Sequence, residues 1–249
     1  MQSVFLTALG VGGATVVGAV IGFLFQDFSK KFSGGVLAFA AGVMLLASVQ
    51  GLVLPSLAHG GRWALPVTLA GLFAGALCLC LLDRAMPGFC KAHAPTLTGA
   101  PDEQYGAVML FVTAIAIHNL PEGIAAGVGF GTGDLAGALV IAGGIALQNL
   151  PEGMVLIAPM LSAGVRPRKT FWIAAGTGVI EVAGTLIGYF AVRVATGLLP
   201  FALAFAGGTM LFVICEEMIP ATCGERGRRG ACFSLLAGFG LMLAAAYFL

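Results

Sequence analysis

Eight apolar runs of about 20 residues follow one another along the chain, with only short polar segments between them. A run of this length is sufficient to cross the hydrocarbon core of a bilayer as an α-helix. Charged residues make up only 9% of the 249 residues, against about 25% in an average soluble domain. The sequence therefore predicts an all-α membrane protein and excludes both a soluble globular domain and a disordered chain.

The runs predict an eight-transmembrane-helix bundle that forms a single domain over residues 1–249. The predicted spans are Val4–Phe25, Gly34–Leu54, Ala64–Leu82, Tyr105–Phe130, Leu135–Leu161, Thr170–Val192, Phe201–Ile219, and Ala231 to the C-terminus. Because proline donates no backbone hydrogen bond, Pro55 and Pro220 are predicted to end the second and seventh spans, and Pro121 and Pro151 to kink the fourth and fifth. The longest connection, residues 83–104, is predicted to be a flexible loop.

The distribution of basic residues predicts the orientation of the bundle. Ten of the twelve lie in connections that follow odd-numbered spans, namely Lys30, Lys31, Arg84, Lys91, Arg166, Arg168, Lys169, Arg226, Arg228 and Arg229. Only Arg62 and Arg193 lie on the other side. Since cytoplasmic loops carry the excess of Lys and Arg, both termini are predicted to face outside. A net charge of +1 gives no reason to expect a nucleic-acid partner.

Two near-identical polar hexads lie in the middle of the fourth and fifth spans. The sequence HNLPEG, beginning at His118, returns as QNLPEG thirty residues later, beginning at Gln148. Residues i and i+4 share a helix face, so His118 and Glu122 point the same way, as do Gln148 and Glu152. The proline of each hexad leaves a carbonyl without its helical donor, which favours a wet cavity between the two spans.

Glu181, in the middle of the sixth span, is a third carboxylate at this depth. Ionisable residues inside a membrane are rare and usually functional. Three carboxylates that converge in a low dielectric repel one another, and a divalent cation removes that conflict. Imidazole, carboxylate and amide oxygen together suit Zn²⁺, Fe²⁺, Mn²⁺ and similar ions. For Asn119, Gln148 and Asn149 taken singly, hydrogen bonding between helices is an equally good interpretation.

Other residues leave more than one interpretation open. On sequence grounds alone, Met44 is a core residue rather than a ligand. Glu216 and Glu217 form either a solvated helix end or an acidic exit vestibule for cations. Cys90 and His93, in the long connection, offer too few ligands for a structural zinc site, which leaves transient metal binding.

The paired hexads resemble those of the ZIP (Zrt/Irt-like) family of divalent-metal transporters, and most closely its prokaryotic GufA-type branch. The same resemblance covers FAAGVML at 39–45, the mid-span Glu181 and EEMIP at 216–220. It implies an eight-helix bundle with outside termini in the cell membrane, which agrees with the independent count of basic residues. It also implies that the protein moves zinc, or Fe²⁺, Mn²⁺ or Cd²⁺, into the cytoplasm as substrate, with no resident cofactor.

The resemblance further implies a site for two metal ions between the fourth, fifth and sixth spans. The first ion would be held by Met44, His118, Glu122, Gln148 and Glu152. The second would share Glu122 and Glu152 and add Asn119, Asn149 and Glu181. Some relatives carry Asp where this chain has Asn149, so the second site has one negative charge fewer. The sequence leaves open whether the chain acts alone or as a homodimer.

Two other classes of function remain open at this point. A selective divalent-cation channel would use the same polar residues, and its flux would rise linearly with metal concentration. An intramembrane metalloenzyme is the weaker alternative, because the hexads lack the HExxH pair of zinc proteases and Met and amides are poor ligands for a catalytic metal.

Overall fold

The computed structural model describes residues 2–24, 30–98, 103–130, 133–194, 196–222 and 228–248. Within these ranges the backbone is almost wholly helical and contains no strand. The helices are α1 (Gln2–Leu24), α2 (Lys30–Ser48), α3 (Leu54–His59), α4 (Ala64–Thr98), α5 (Glu103–Gly129), α6 (Leu135–Ser162), α7 (Pro167–Val194), α8 (Leu199–Val213), α9 (Ile219–Thr222) and α10 (Arg228–Phe248). This architecture confirms the prediction of an all-α membrane protein.

Seven segments of the described ranges are long and apolar enough to cross a membrane. They are Gln2–Leu24, Gly34–His59, Gly61–Leu82, Leu135–Ser162, Pro167–Val194, Leu199–Met218 and Arg229–Phe248. The predicted fourth span forms the 27-residue helix α5 but is not among these seven. An eighth crossing therefore stays a prediction, as do the outside termini. Helices α5 and α6 continue through Pro121 and Pro151, and the kinks expected there also stay predictions.

The helical path does not end at the prolines of the second and seventh spans, contrary to the prediction, although the membrane-length apolar part of the seventh span ends at Met218. A π turn at Val49–Val53 leads from α2 into α3, and another at Ile214–Met218 leads from α8 into α9. Each π turn ends two residues before the proline, at Pro55 and Pro220. A proline ring clashes with the carbonyl four residues earlier, and that carbonyl lies inside the wider π turn in both cases. The turns let the helical path continue past the prolines.

Helix α4 is longer than the apolar run from which it was predicted. It extends over 35 residues to Thr98, so residues 83–98 are helical rather than part of a flexible loop. A helix ends where its backbone hydrogen bonding ends, and loss of hydrophobicity alone does not stop it. The side chains of Cys90 and His93 lie outside the described residues.

The helices pack in two groups. In the first helix group, α1 lies against α6 and α7, and α5 lies against α7. The second helix group consists of two sets, α4 and α3 packed on α8 with the π turn that follows it, and α10 packed on α2, and α2 packs more extensively on α6 than on α8. The two groups meet where α2 contacts α6 and where α8 contacts α5.

Glycines allow the closest approaches within the first helix group. A Cβ on Gly123 of α5 would overlap the backbone of Glu181 on α7, and a Cβ on Gly153 of α6 would overlap the backbone of Thr15 on α1. Both glycines are the last residues of the hexads. The hexads therefore combine polar side chains with the small residues that let membrane helices pack closely.

Candidate metal site

A cavity of about 120 Å³ lies where the two helix groups meet. Helix α5 contributes His118 and Glu122 to its wall, and α6 contributes Gln148 and Glu152. The second helix group contributes Glu217 together with the apolar residues Leu37, Ala40, Val213 and Met218. The i, i+4 spacing within each hexad explains why its first and fifth residues reach the same wall. This arrangement agrees with the sequence-based prediction of a cavity between α5 and α6, the two helices that carry the hexads.

Three of these polar side chains are deeply buried. His118, Glu122 and Gln148 are 4%, 3% and 2% exposed. Within the described residues, Glu122 Oε2 and Gln148 Oε1 have no hydrogen-bond partner. Buried acceptor oxygens without a donor are costly, and they require a water molecule or a cation as a partner. The cavity wall therefore offers oxygen atoms of the kind that bind a metal ion.

Glu217 is a cavity residue that is not among the eight predicted ligands. Its Oε1 lies 3.1 Å from Nε2 of His118, and its side chain is 37% exposed. Glu216, one residue earlier, is exposed and does not line the cavity. The acidic pair near the end of the seventh span was the available signal. Glu217 lines the cavity, whereas Glu216 is exposed in the same π turn.

Asn149 and Glu181 lie in a hydrogen-bonded network that joins α1, α6 and α7. The Asn149 amide Nδ2 donates to the carbonyl oxygen of Val11 at 3.1 Å and to Glu181 Oε1 at 2.5 Å. The hydroxyl of Thr15 donates to Glu181 Oε2 at 3.3 Å. Thr15, Asn149 and Glu181 are completely buried. This network adjoins the cavity, because Asn149 follows the cavity residue Gln148 on α6, and Gly123, which follows the cavity residue Glu122, packs on the backbone of Glu181.

Asn119 connects α5 to the carboxylate of the second hexad. With its amide in the orientation that its neighbours require, Nδ2 donates to the Ile115 carbonyl at 2.8 Å and to Glu152 Oε1 at 2.6 Å. The two hexads are thus bridged by a direct hydrogen bond between side chains. Asn119 itself is completely buried and does not line the cavity.

Met44 lies in the hydrophobic core of the bundle, where it is 1% exposed. It does not line the cavity, in agreement with the sequence-based assignment of a core residue.

The eight predicted ligands thus fall into three sets. Four line the cavity (His118, Glu122, Gln148 and Glu152), three belong to the adjoining hydrogen bonds (Asn119, Asn149 and Glu181), and Met44 lies in the core. Within the described residues, no three His, Cys, Asp or Glu side chains are arranged to hold a metal ion. The ligand set stays a prediction.

Comparison with known proteins identifies relatives along nearly the whole chain. A sequence model described as the ZIP zinc transporter family matches residues 91–246. The chain is 33% identical to the zinc transporter GufA of Myxococcus xanthus, over 98% of this chain and 97% of that protein. It is 35% identical to the zinc transporter ZIPB of Bordetella bronchiseptica, over 92% of this chain and 76% of that protein. It is 31% identical to the zinc transporter ZupT of Corynebacterium glutamicum, over 97% of each chain.

Proposed function

Since the chain belongs to the ZIP zinc transporter family, in its prokaryotic GufA-type branch, we propose that it carries zinc across the cell membrane into the cytoplasm. Its relatives are named as zinc transporters, and these names favour transport over the alternative of an intramembrane metalloenzyme. The chain is a multi-pass membrane protein whose function is transport rather than catalysis. Zinc is its substrate under this proposal and not a resident cofactor.

The observation that carries the proposal is the cavity whose wall contains buried acceptor oxygens that lack a hydrogen-bond donor. Glu122 Oε2 and Gln148 Oε1 are two such atoms on one cavity wall, within the described residues. His118 and Glu152 line the same wall and complete a set of one imidazole, two carboxylates and one amide. Such a set suits Zn²⁺. The first zinc ion would bind there, and Met44 would have to leave the core to join it.

A second ion is proposed to bind between Glu122, Glu152 and Glu181, with amide oxygens from Asn119 and Asn149. Among the described residues, Asn149 Oδ1 has no hydrogen-bond partner, although its Nδ2 makes two hydrogen bonds. That oxygen is therefore free to accept a cation without loss of the contact to Val11. Zinc entry would replace the repulsion between neighbouring carboxylates with attraction, and it would release any protons that they hold.

The position of the cavity supports transport by alternating access. Most of the proposed ligands lie on α5, α6 and α7 of the first helix group, while the facing wall belongs to the second. Movement of one group against the other would expose the same ligands first to one side of the membrane and then to the other. The inward direction of transport is inferred from the family alone.

Uptake of metal by the purified protein in liposomes tests the proposal. We expect zinc uptake that saturates with concentration, that exceeds the uptake of Mn²⁺, Fe²⁺ and Cd²⁺, and that changes when the pH on either side is varied. Liposomes with the Glu122→Ala variant are the matched control. Flux that rises linearly with zinc concentration would favour the selective channel, and the absence of any zinc flux would refute the proposal.

A further inference from the structure

We propose that Thr15 of α1 is a positioning residue for the second zinc ion, because its hydroxyl fixes the carboxylate of Glu181 in the orientation from which that carboxylate binds the ion. The proposal rests on the proposed function, since the second ion is part of it. It adds to the site a helix that supplies none of the eight predicted ligands.

The carboxylate of Glu181 is held at both oxygens by donors on two other helices. Thr15 Oγ1 of α1 donates to Oε2 at 3.3 Å, and Asn149 Nδ2 of α6 donates to Oε1 at 2.5 Å. The terminal torsion of a glutamate has a broad rotational preference, so one hydrogen bond alone leaves the plane of the carboxylate poorly defined. The second hydrogen bond, from Thr15, defines that plane.

The hydroxyl of Thr15 is used differently from the hydroxyls of other buried threonines. Thr177, Thr185 and Thr209 each donate to a carbonyl of their own helix three or four residues earlier. Such a bond to its own backbone is open to any helical threonine. Thr15 instead donates its single hydroxyl proton across the helix interface to a carboxylate.

Glycines set the place of Thr15 against both neighbouring helices. Gly12 of α1 and Gly178 of α7 pack so closely that a Cβ on either would overlap the carbonyl oxygen of the other. Thr15 and Glu181 each lie within one turn of this contact. On α6, Gly153 makes room for the carbonyl oxygen of Thr15. The backbone contacts therefore hold Thr15 against α6 and α7, which carry ligands of the second ion.

The hydrogen bond from Thr15 is compatible with a bound ion. An ionised carboxylate has about four acceptor positions on its two oxygens, and within the described residues Glu181 uses one on each oxygen. Oε2 can therefore bind zinc while it still accepts from Thr15. Removal of a hydrogen-bond partner that orients a metal-binding side chain typically changes metal affinity by about 10–100-fold.

Titration of the purified protein with zinc tests the proposal with three variants. Thr15→Val keeps the shape of the side chain and removes the donor, whereas Thr15→Ser keeps the donor. Thr177→Val is the matched control, because it removes a buried hydroxyl that donates to the carbonyl of Ala174 on its own helix. We expect Thr15→Val to weaken one of the two ions by about 10–100-fold and to leave the other unchanged, while Thr15→Ser and Thr177→Val bind zinc like the parent.

A second comparison separates positioning from general packing. In a Glu181→Ala background Thr15 has no carboxylate to position, so the further change Thr15→Val should leave zinc binding unaltered. An equal loss in both backgrounds, a failure of Thr15→Ser to keep the affinity, or parent-like binding by a monodisperse Thr15→Val protein would overturn the proposal. Thr15→Ala, which also lacks the donor, serves if the valine variant is not monodisperse. A parent that binds a single zinc ion would refute the second ion of the proposed function and this proposal with it, and that result appears before any variant is compared.

Discussion

Replacement of Asn149 by Asp separates the structural role of this residue from its role as a metal ligand. Asn149 Nδ2 donates to Val11 O and to Glu181 Oε1, and an aspartate can make neither hydrogen bond when ionised. Asn149→Asp also brings a second carboxylate against Glu181. We therefore expect the variant to be less stable than the parent without metal, and to gain more stability than the parent when zinc is added.

The magnitude follows from the two lost hydrogen bonds. One joins neutral groups and the other involves a carboxylate, so their combined loss is expected to cost about 2–4 kcal/mol. For a chain of this length that corresponds to a fall in Tm of about 4–16 °C. Each tenfold gain in zinc affinity adds about 1.4 kcal/mol at saturating metal, or about 3–6 °C. Zinc affinity should also depend more steeply on pH, because one more carboxylate competes for protons.

The assay is thermal unfolding of the purified protein with a chelator and with a series of zinc concentrations at two pH values. Asn149→Ala is the matched control, because it loses the same two hydrogen bonds but adds no charge. Both variants should melt below the parent without metal, and only Asn149→Asp should show the larger stabilisation by zinc. If Asn149→Asp melts like the parent without metal, the network with Glu181 is wrong. If zinc stabilises both variants equally, residue 149 does not face the ion.

Three further predictions concern the hexads. Glu122→Ala or Glu152→Ala should nearly abolish zinc uptake at normal expression, because both proposed ions share these ligands; near-normal uptake by either variant would contradict the shared site. His118→Ala should reduce Zn²⁺ uptake more than Mn²⁺ uptake in a competition assay, since Mn²⁺ tolerates oxygen ligands, and equal losses would count against a histidine ligand. Gly153→Ala should destabilise the protein by about 1–3 kcal/mol in thermal unfolding. The Cβ of the new alanine would overlap the backbone of Thr15 and would lie 2.9 Å from the backbone nitrogen of Ala19, both on α1. Gly143→Ala, on the same helix with nothing within 4 Å, should not destabilise the protein, and equal Tm values for the two would refute this packing argument.

The hexads were the part of the site most accessible to sequence reasoning. Their i, i+4 spacing is a local property of a helix, so the shared face of His118 and Glu122 followed without knowledge of the tertiary structure. The same holds for Gln148 and Glu152. By contrast, the partners of Asn149 lie 138 and 32 residues away. No local pattern indicates which of the two amide atoms of Asn149 serves the network and which remains for a metal ion.

Two errors have a common physical origin in backbone geometry. The sequence predicts that helices end at Pro55 and Pro220, but a π turn before each proline absorbs the clash with the carbonyl four residues earlier. Hydropathy reports the apolar face of a helix and contains no information about the number of residues in each turn. For the same reason, the sequence alone does not indicate that Glu217 lines the cavity while Glu216, its neighbour in the second π turn, is exposed.

The packing of α1 has a consequence for the biosynthesis of the protein. Its polar contacts are made with residues 138 and 166 positions later, on α6 and α7. During synthesis α1 leaves the ribosome before α6 and α7, which are still untranslated at that time. Thr15 and the glycines that fit α1 to its later neighbours must therefore remain in lipid, or beside the insertion machinery, until most of the chain has been made. The buried network around Glu181 closes late, so a nascent chain truncated before α6 leaves α1 inserted without the two helices on which it packs.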